Sequence, residues 1–278
     1  MMWYSKCMKK SVLITGVSGG MGLSTLKKFL NNDYIVYGLD VVEPNFNNEN
    51  FHFFKVDLTK QELINKVFDE LNNLNIKLNT IINTAGIYNL DSLIEINEED
   101  FIKIFNINVF SIYRINKTFL PLLKKNGKII VISSELGPLD PLPFTGIYAI
   151  TKATIEKYVY SLRMELQLLG YKVILIRPGA VDTGLLDVSI NALNRFVDKT
   201  THYKCNASKF KNIVNSVESK KISPDKIGNL IYKVSQKKNP KYIYQINRNK
   251  LLLLLNFLPK RLQNKIIKNI LKEKRKAN

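Results

Sequence analysis

A chain of 278 residues, 45% of them hydrophobic, is long enough to bury a full core, which argues against global disorder. Cys7 and Cys205 lie far apart and match no spacing typical of a disulfide framework or metal site, so we expect no metal and a reducing, cytoplasmic location. The net charge of +19 is uneven, because residues 237–278 hold thirteen Lys or Arg against one acid.

The first predicted strand, Ser11–Thr15, runs into a glycine-rich turn and then a helix. The residues of this turn that we expect to meet a ligand are Gly16, Ser18, Gly19, Gly20, Met21 and Gly22. Glycine lets the backbone approach a pyrophosphate closely, and the N-terminus of the following helix supplies a positive field. The pattern therefore predicts a dinucleotide site.

The second predicted strand, Tyr34–Leu39, ends at Asp40. An acid about twenty residues beyond the glycine turn can accept hydrogen bonds from an adenosine ribose, and its charge would repel a 2′-phosphate. Positions 17, 18, 41 and 42 carry no Lys or Arg that could neutralise such a phosphate. These residues favour NAD over NADP as the cofactor.

Two more predicted strands end in residues that suit a bound nucleotide. Phe51–Val56 leads to Asp57 and Leu58, where a carboxylate could meet the adenine amino group. Thr80–Ile82 leads to a turn whose candidate contacts are Asn83, Ala85 and Gly86. Small residues after a strand allow the backbone to pass close to a ligand, although this turn alone could equally be an ordinary one.

A predicted helix from Asn97 to the region of Pro121 carries Asn108 on its apolar side. A buried Asn needs hydrogen-bond partners. It therefore either braces a neighbouring backbone or holds an ordered water.

The fifth predicted strand, Lys128–Ser133, ends at Ser134, and a Pro- and Gly-rich loop separates it from a long helix. Tyr148 and Lys152 lie four apart at the start of this helix, so they share one face. A lysine cation favours the phenolate and lowers the pKa of a neighbouring phenol. The pair is a candidate general acid and base, although Tyr and Lys also fall four apart by chance on many helices.

A sixth strand, Lys172–Ile176, precedes the candidate ligand contacts Pro178, Gly179, Val181 and Thr183, and Tyr242–Ile246 would be a seventh. The alternation of strands and helices predicts an α/β fold, with a doubly wound, mainly parallel seven-stranded sheet and helices on both faces. The carboxyl ends of such strands share one edge, where ligands bind. The candidate residues should therefore meet there.

Together these motifs resemble those of the short-chain dehydrogenase/reductase family, over residues 10–183 and more loosely to 247. The segments TGVSGGMG, NTAG, YAITK and RPGAVDT occur in the family's order. The resemblance implies a Rossmann-type fold, nucleotide binding and hydride transfer. It also implies a catalytic tetrad formed by Asn108, Ser134, Tyr148 and Lys152.

In this resemblance each tetrad member has a role. Tyr148 exchanges a proton with the substrate oxygen, which Ser134 orients. Lys152 lowers the pKa of the phenol and holds the nicotinamide ribose, and Asn108 anchors a water that links Lys152 to solvent. Thr183 contacts the nicotinamide carboxamide.

Some features depart from the family pattern or fit other classes of protein. Ser134 and Tyr148 lie fourteen apart, one more than expected, so the loop carries an insertion and Ser133 is an alternative to Ser134. The glycine turn also fits sugar-nucleotide epimerases, although these are usually longer. A non-catalytic dinucleotide-binding protein that docks on a membrane is the third interpretation, and the intact tetrad argues against it.

Residues 184–222 show no clean periodicity, and in the family this region forms a mobile lid over the substrate. Its apolar residues could line a pocket or form the core face of short lid helices; they are Leu185, Leu186, Val188, Ile190, Leu193 and Phe196. We assign residues 1–250, including the lid, to one NAD-binding catalytic domain.

The remaining residues, 251–278, form a predicted basic amphipathic extension. The apolar run Leu251–Leu255 is too short to span a membrane. The segment Lys260–Lys276 combines an apolar stripe with basic flanks, so it could lie on anionic lipid, cap the pocket or pack in a dimer. Its charge could instead reflect the Lys-rich composition of the whole chain.

The sequence thus predicts an NAD-dependent alcohol dehydrogenase or ketone reductase that acts on an apolar small molecule of steroid, retinoid or lipid type. We expect no nucleic-acid partner and a homodimer or homotetramer. A peripheral membrane contact through 251–278 is an open alternative, and internal or subunit packing of this segment is favoured over it. The resemblance places the subunit contacts on the helices of Asn108 and Tyr148.

Overall fold

The computed structural model describes residues 9–218 and 221–272, with the side chains of 184–190 and 215–218 outside the description. Its seven strands form one sheet in the order β3-β2-β1-β4-β5-β6-β7, and neighbouring strands are parallel. The strands are β1 Ser11–Thr15, β2 Ile35–Asp40, β3 Phe51–Lys55, β4 Leu78–Asn83, β5 Leu123–Ile132, β6 Lys172–Pro178 and β7 Ile243–Ile246. The predicted fold class is confirmed.

Helices cover both faces of the sheet because successive strand residues point to opposite sides. Val12 and Ile14 on β1 face the helices α1 (Gly20–Leu30) and α8 (Pro224–Gln236). Leu13, between them, faces α2, α4 and α5. These helices span Gln61–Asn73, Ser111–Phe119 and Gly146–Leu166. The order of the strands reverses between β1 and β4, and this point opens a crevice at their carboxyl ends.

The helix predicted around Asn108 is interrupted. Helix α3 (Glu98–Phe105) is capped by Asn97, whose side chain accepts a hydrogen bond from Asp100 N at 2.7 Å. A π-helical turn, Asn106–Phe110, joins α3 to α4. Such turns are often found at functional sites, and this one carries Asn108.

The lid region contains two helices, α6 (Gly184–Lys199) and α7 (Lys204–Glu218). Their buried residues join a separate apolar cluster that includes Leu193 and Phe210. The sequence showed no clean period here because this cluster is small and is shared with the C-terminal segment.

The C-terminal segment forms α9 (Lys250–Phe257) and α10 (Lys260–Leu271), and residues 273–278 lie outside the description. Helix α10 packs on α7, where Asn206 Nδ2 donates to the Leu271 carbonyl at 2.7 Å and the Leu271 side chain is buried. Among the described helices, none has the length and apolar character to cross a bilayer. Cys205 forms no disulfide with a described residue, and Cys7 lies outside the described part.

Candidate active site

A cavity of about 550 Å³ follows the carboxyl edge of the sheet. It brings together most of the predicted site, namely Gly16, Ser18, Gly19, Gly20, Met21, Gly22, Gly86, Ser134, Tyr148, Lys152, Pro178, Gly179, Val181 and Thr183. The glycine turn lies at one end and apolar lid residues at the other. One continuous space therefore joins the predicted dinucleotide and substrate sites.

Two positions in the glycine turn leave no room for a larger residue. Gly16 has φ +72°, and a Cβ on it would lie 2.8 Å from the backbone of Ala85. A Cβ on Gly22 would lie 1.9 Å from the Gly16 carbonyl oxygen. Among the described side chains, none caps the N-terminus of α1. A helix N-terminus of this kind, beside a close backbone turn, fits the pyrophosphate of a dinucleotide.

Asp40 lies at the end of β2, directly beside this turn. Its Oδ2 accepts a hydrogen bond from Ser18 N at 2.9 Å, and its Oδ1 accepts one from Val41 N at 2.7 Å. These two bonds fix the carboxylate against the glycine turn, and its contact with the ribose of a dinucleotide stays a prediction.

Other predicted nucleotide contacts do not line the cavity through their side chains. Asp57 Oδ1 accepts hydrogen bonds from Thr59 N at 2.9 Å and Thr59 Oγ1 at 2.8 Å, and Leu58 is buried in the core. Asn83 is also buried, and its Nδ2 donates to Asn116 Oδ1 on α4 at 2.9 Å. Ala85 meets the site through its backbone, against Gly16. Contact between these residues and a nucleotide stays a prediction.

The proton-handling side chains meet in the middle of the cavity. The Ser134 hydroxyl hydrogen-bonds with the Tyr148 phenol. Lys152 Nζ lies 5.4 Å from the centroid of the Tyr148 ring and 3.5 Å from the Ile132 carbonyl oxygen. The alternative, Ser133, directs its hydroxyl to Glu156 Oε1 at 2.8 Å. The structure thus brings Ser134, rather than Ser133, to the phenol.

Asn108 is fully buried beneath this group. Its Oδ1 accepts from Ile87 N at 2.8 Å, and its Nδ2 donates to the Ile87 carbonyl at 2.9 Å and to Thr151 Oγ1 at 3.2 Å. Of the two alternatives for Asn108, the structure shows the brace on a neighbouring backbone. The role of Asn108 in holding an ordered water stays a prediction. The brace fixes the chain beside Gly86. If Gly86 carried a Cβ, that atom would lie 3.3 Å from Asn108 Oδ1 and 3.8 Å from Lys152 Nζ.

The expected lowering of the phenol pKa by Lys152 is wrong for the protein alone. Burial raises the pKa of Tyr148 to about 12, and the hydrogen bond with Ser134 opposes this rise. Burial likewise lowers the pKa of Lys152 to about 8, while the charge of Glu156 opposes this fall. Loss of hydration is thus the largest cause of the pKa shift in both groups. At neutral pH the phenol keeps its proton and the lysine is mostly cationic.

The sequence interpretation missed Glu156, which lies one turn beyond Lys152 on α5. Its Oε2 lies 2.5 Å from Nη2 of Arg177, and its Oε1 lies 3.0 Å from Nε of the same guanidinium. Both side chains are mostly buried. The spacing of four from Lys152 was the available signal.

The far end of the cavity is apolar. Its lining includes Leu142 from the Pro-rich loop, Phe210, Ile213 and Val214 from α7, and Leu252 from α9. For Leu193 and Phe196 the core-face alternative is confirmed, because both lie on the buried side of α6, at 0% and 3% exposure. The side chains of Leu185, Leu186, Val188 and Ile190 lie outside the description.

Comparison with known proteins agrees with this geometry. The family model for short chain dehydrogenases matches residues 10–193. A 3-ketodihydrosphingosine reductase of Bacteroides thetaiotaomicron is 29% identical over 83% of this chain and 85% of its own. An NADPH-dependent 3-dehydrocapnine reductase of Ornithobacterium rhinotracheale is 26% identical over 94% and 97%.

A solved short chain dehydrogenase family protein from Francisella tularensis is similar, with 26% identity, a TM-score of 0.71, and coverage of 86% of this chain and 97% of that one. The matched residues contain the glycine turn, Ser134, Tyr148 and Lys152. The chain belongs to the short-chain dehydrogenase family and is an NAD(P)-dependent oxidoreductase that transfers hydride between a nicotinamide cofactor and an alcohol or carbonyl compound.

Proposed function

We propose that this protein is a ketone reductase that prefers NADH and acts on a long-chain, lipid-like ketone. The main observation behind the proposal is the hydrogen-bonded pair of Ser134 and a protonated Tyr148, beside a cavity wall made of apolar side chains. A polar reaction centre at one end of an apolar space suits a molecule with one carbonyl group and a hydrocarbon body.

The cofactor supplies the hydride, and the side chains described above provide the proton and the positioning. The N-terminus of α1 would hold the pyrophosphate, Asp40 the ribose, and Thr183 the nicotinamide end. Ser134 and Tyr148 would bind the carbonyl oxygen of the substrate. Tyr148 gives its phenolic proton to that oxygen as negative charge develops there, and the ammonium group of Lys152 stabilises the resulting phenolate.

We infer that the reaction at neutral pH is carbonyl reduction, and the burial of Tyr148, which raises the pKa of its phenol, supports this. Oxidation of an alcohol needs a base to accept the hydroxyl proton, and burial keeps the Tyr148 phenol protonated. Reduction of a carbonyl needs an acid, which the protonated phenol provides. The alkoxide that forms is a much stronger base than a phenolate, so the proton transfer is downhill.

The substrate class is supported by two observations. The apolar wall is formed by residues from three separate elements, Leu142, Phe210 and Leu252, so it extends away from the reaction centre. The name of one relative describes the reduction of 3-ketodihydrosphingosine, a keto lipid. We infer that a 3-keto lipid is a better candidate than a steroid or a retinoid.

The cofactor preference depends on Asp40. The second relative is named as NADPH-dependent, so the opposite preference has a precedent at 26% identity. In this chain the carboxylate of Asp40 is fixed beside Ser18, and a 2′-phosphate would meet it directly. Replacing Asp40 by Ala should reduce the preference for NADH over NADPH, measured as the ratio of the two kcat/KM values. A wild-type protein that prefers NADPH would refute the assignment.

We also propose that the protein is a homodimer or homotetramer with a peripheral membrane contact. Apolar side chains are exposed on the helices of Asn108 and Tyr148, among them Phe110, Tyr113 and Met164 at 45%, 46% and 47%. Exposed apolar residues on adjacent helices support a subunit contact there. The basic segment from residue 251 onward supports the membrane contact.

The experiment is a turnover assay with NADH and with NADPH over a panel of ketones: a short methyl ketone, a steroid ketone, a retinal and a 3-keto sphingoid base in detergent. We expect the sphingoid ketone to give the highest kcat/KM and the short ketone a low but measurable rate. If every ketone fails to react while the protein binds NADH, the proposed function is wrong.

A further inference from the structure

Helix α9 presents large apolar side chains to solvent on one face. Leu251, Leu254 and Phe257 are 72%, 62% and 85% exposed, and they lie three residues apart, so they share one side of the helix. We call these three residues the α9 surface. Side chains of this size are seldom left together in solvent unless they meet a partner.

The opposite face of α9 borders two cavities, one of which is the active site. Leu252 lines the cavity that contains Tyr148, and Leu255 and Asn256 line a second cavity of about 220 Å³ beside the Pro-rich loop. The α9 surface is therefore separated from the substrate space by the width of one helix, about 10 Å.

Helix α9 is fixed at both ends, so its exposed face is not that of a loose tail. At its start, Asn249 N donates to Glu135 Oε2 at 2.6 Å, and the Asn249 side chain accepts from Leu251 N at 2.9 Å. Near its end, Asn256 Oδ1 accepts from Asp140 N at 2.7 Å. These contacts hold α9 against the loop that directly follows Ser134.

The charge of the surrounding segment indicates which partner covers the α9 surface. Residues 248–272 contain no Asp or Glu and seven basic residues, which are Arg248, Lys250, Lys260, Arg261, Lys265, Lys268 and Lys272. Lys260 pairs with Asp140, and Lys250, Arg261, Lys265 and Lys268 are exposed. Two copies of this segment would repel each other, whereas anionic lipid headgroups attract it and acyl chains accept Leu and Phe.

We propose that the α9 surface inserts into an anionic lipid membrane and that the substrate enters the cavity from that membrane. This inference rests on the proposed reduction of a lipid-like ketone. Binding would place Leu251, Leu254 and Phe257 among the acyl chains, with the basic residues at the headgroups. A membrane-resident ketone then has a short path to the apolar wall formed by Leu252 and Phe210.

The test is co-sedimentation of the full chain with vesicles of phosphatidylcholine alone or with about 30% phosphatidylglycerol. The wild type should bind the anionic vesicles, and binding should weaken with added salt. Replacing Leu251, Leu254 and Phe257 together by Ser should lower the partition coefficient by at least about tenfold, because each side chain loses an apolar environment.

Two matched controls distinguish insertion of the α9 surface from the loss of exposed leucines or of positive charge at any other place on the protein. Leu74→Ser with Leu168→Ser removes exposed leucines, at 63% and 83%, from the ends of α2 and α5, and it should leave vesicle binding unchanged. Lys250→Gln, Lys265→Gln and Lys268→Gln should weaken binding to anionic vesicles. The same three-charge change at Lys60, Lys66 and Lys125, which are exposed on other elements, should weaken it much less.

An activity assay then tests whether the α9 surface serves the active-site cavity. The Ser triple variant should reduce the short soluble ketone at the wild-type rate, and it should lose most of its rate on a 3-keto lipid presented in anionic vesicles. If the wild type does not bind anionic vesicles, or the triple variant binds as well as the wild type, the inference is wrong. A triple variant that changes from oligomer to monomer in size-exclusion chromatography would show that α9 is a subunit contact and would also overturn it.

Vesicle binding needs neither cofactor nor substrate. A protein that binds vesicles through α9 but reduces no ketone would therefore refute the proposed function alone. A protein that reduces ketones but does not bind vesicles would refute only the membrane inference.

Discussion

The two ends of the active-site cavity are built in different ways. At the dinucleotide end, the backbone determines the shape: Gly16 and Gly22 pack against neighbouring backbone, and Asp40 is held by main-chain N–H groups. At the substrate end, side chains from three separate elements form the wall, and none contributes a recognisable motif.

This difference has a physical cause. A dinucleotide is recognised through its pyrophosphate and riboses, which need close backbone approach and fixed polar groups, so few residue types fit each position. An apolar substrate needs only volume and hydrophobic contact, which many residues can supply. The dinucleotide end should therefore lose function or stability after small side-chain changes, whereas the substrate end should tolerate them.

The largest effect is expected at the reaction centre between the two ends. Tyr148→Phe removes the hydroxyl that gives the proton, so kcat should fall by about 10²- to 10⁴-fold. NADH affinity, measured by fluorescence titration, should stay within a few-fold of the wild type. The matched control is Tyr158→Phe on the same helix, whose hydroxyl accepts a hydrogen bond from Asn116 Nδ2 at 3.4 Å. Strong residual activity in Tyr148→Phe would mean that another group delivers the proton.

At the dinucleotide end, Gly22→Ala should destabilise the protein and prevent NADH binding. The new Cβ would lie 1.9 Å from the Gly16 carbonyl oxygen, so the turn must move. Overpacking of this kind typically costs about 1–3 kcal/mol, and we expect a lower melting temperature. Gly19→Ala is the control for stability, because its Cβ would meet Gly16 O at 3.5 Å, an ordinary contact. Equal melting temperatures for both variants would contradict the close packing of the turn.

A matching change at the substrate end should be mild. Leu252→Met keeps the volume and apolar character of the cavity wall, and such swaps usually cost less than about 1.5 kcal/mol. We expect an unchanged melting temperature and a kcat/KM for the keto lipid within a few-fold of the wild type. A loss as large as that of Gly22→Ala would remove the contrast between the two ends.

The pH dependence of reduction tests the electrostatics beneath Tyr148. Lys152 is cationic below its lowered pKa of about 8 and neutral above it, so kcat/KM should fall as the pH rises through about 8. The charge of Glu156 opposes the lowering of the Lys152 pKa. Glu156→Gln should therefore shift the alkaline fall of kcat/KM to lower pH. Glu165→Gln, an exposed change on the same helix, should leave it in place. If kcat/KM of Glu156→Gln falls at the same pH as in the wild type, or at a higher pH, Lys152 does not determine the pH dependence.

The smallest effect concerns the connection between the two lid helices. Glu95 accepts hydrogen bonds from Thr200 Oγ1 at 2.7 Å, Thr201 N at 2.8 Å and His202 N at 3.1 Å. The bond from the Thr200 hydroxyl is the largest cause that lowers the pKa of Glu95 to about 2. The stabilisation is complete above about pH 4.5, the ordinary value, and disappears as the pH falls toward 2.

Glu95→Gln should therefore raise amide hydrogen exchange at residues 200–203 by a few-fold at pH 7, with little change in melting temperature. Glu99→Gln, an exposed acid in the first turn of α3, is the control. Unchanged exchange in the Glu95 variant would mean that the lid connection is held by other contacts.

The fold and the reaction centre could be predicted from the sequence because both depend on short local patterns. The apolar strands predicted the sheet, and the spacing of Tyr148 and Lys152 predicted a shared helix face. The burial of the Asn83 side chain against Asn116 could not be predicted, because its position after a strand does not reveal which side of the sheet its amide faces. The pKa of Tyr148 could not be predicted either, since burial depends on Tyr88 and other residues packed around it in the fold.

The attachments of α9 have a mechanical consequence. Asn249 and Asn256 tie this helix to the loop after Ser134, whereas Asn206 ties α10 to α7. Lys260 at the start of α10 also pairs with Asp140 in that loop. The two C-terminal helices together therefore link the loop after Ser134 to the lid helix α7.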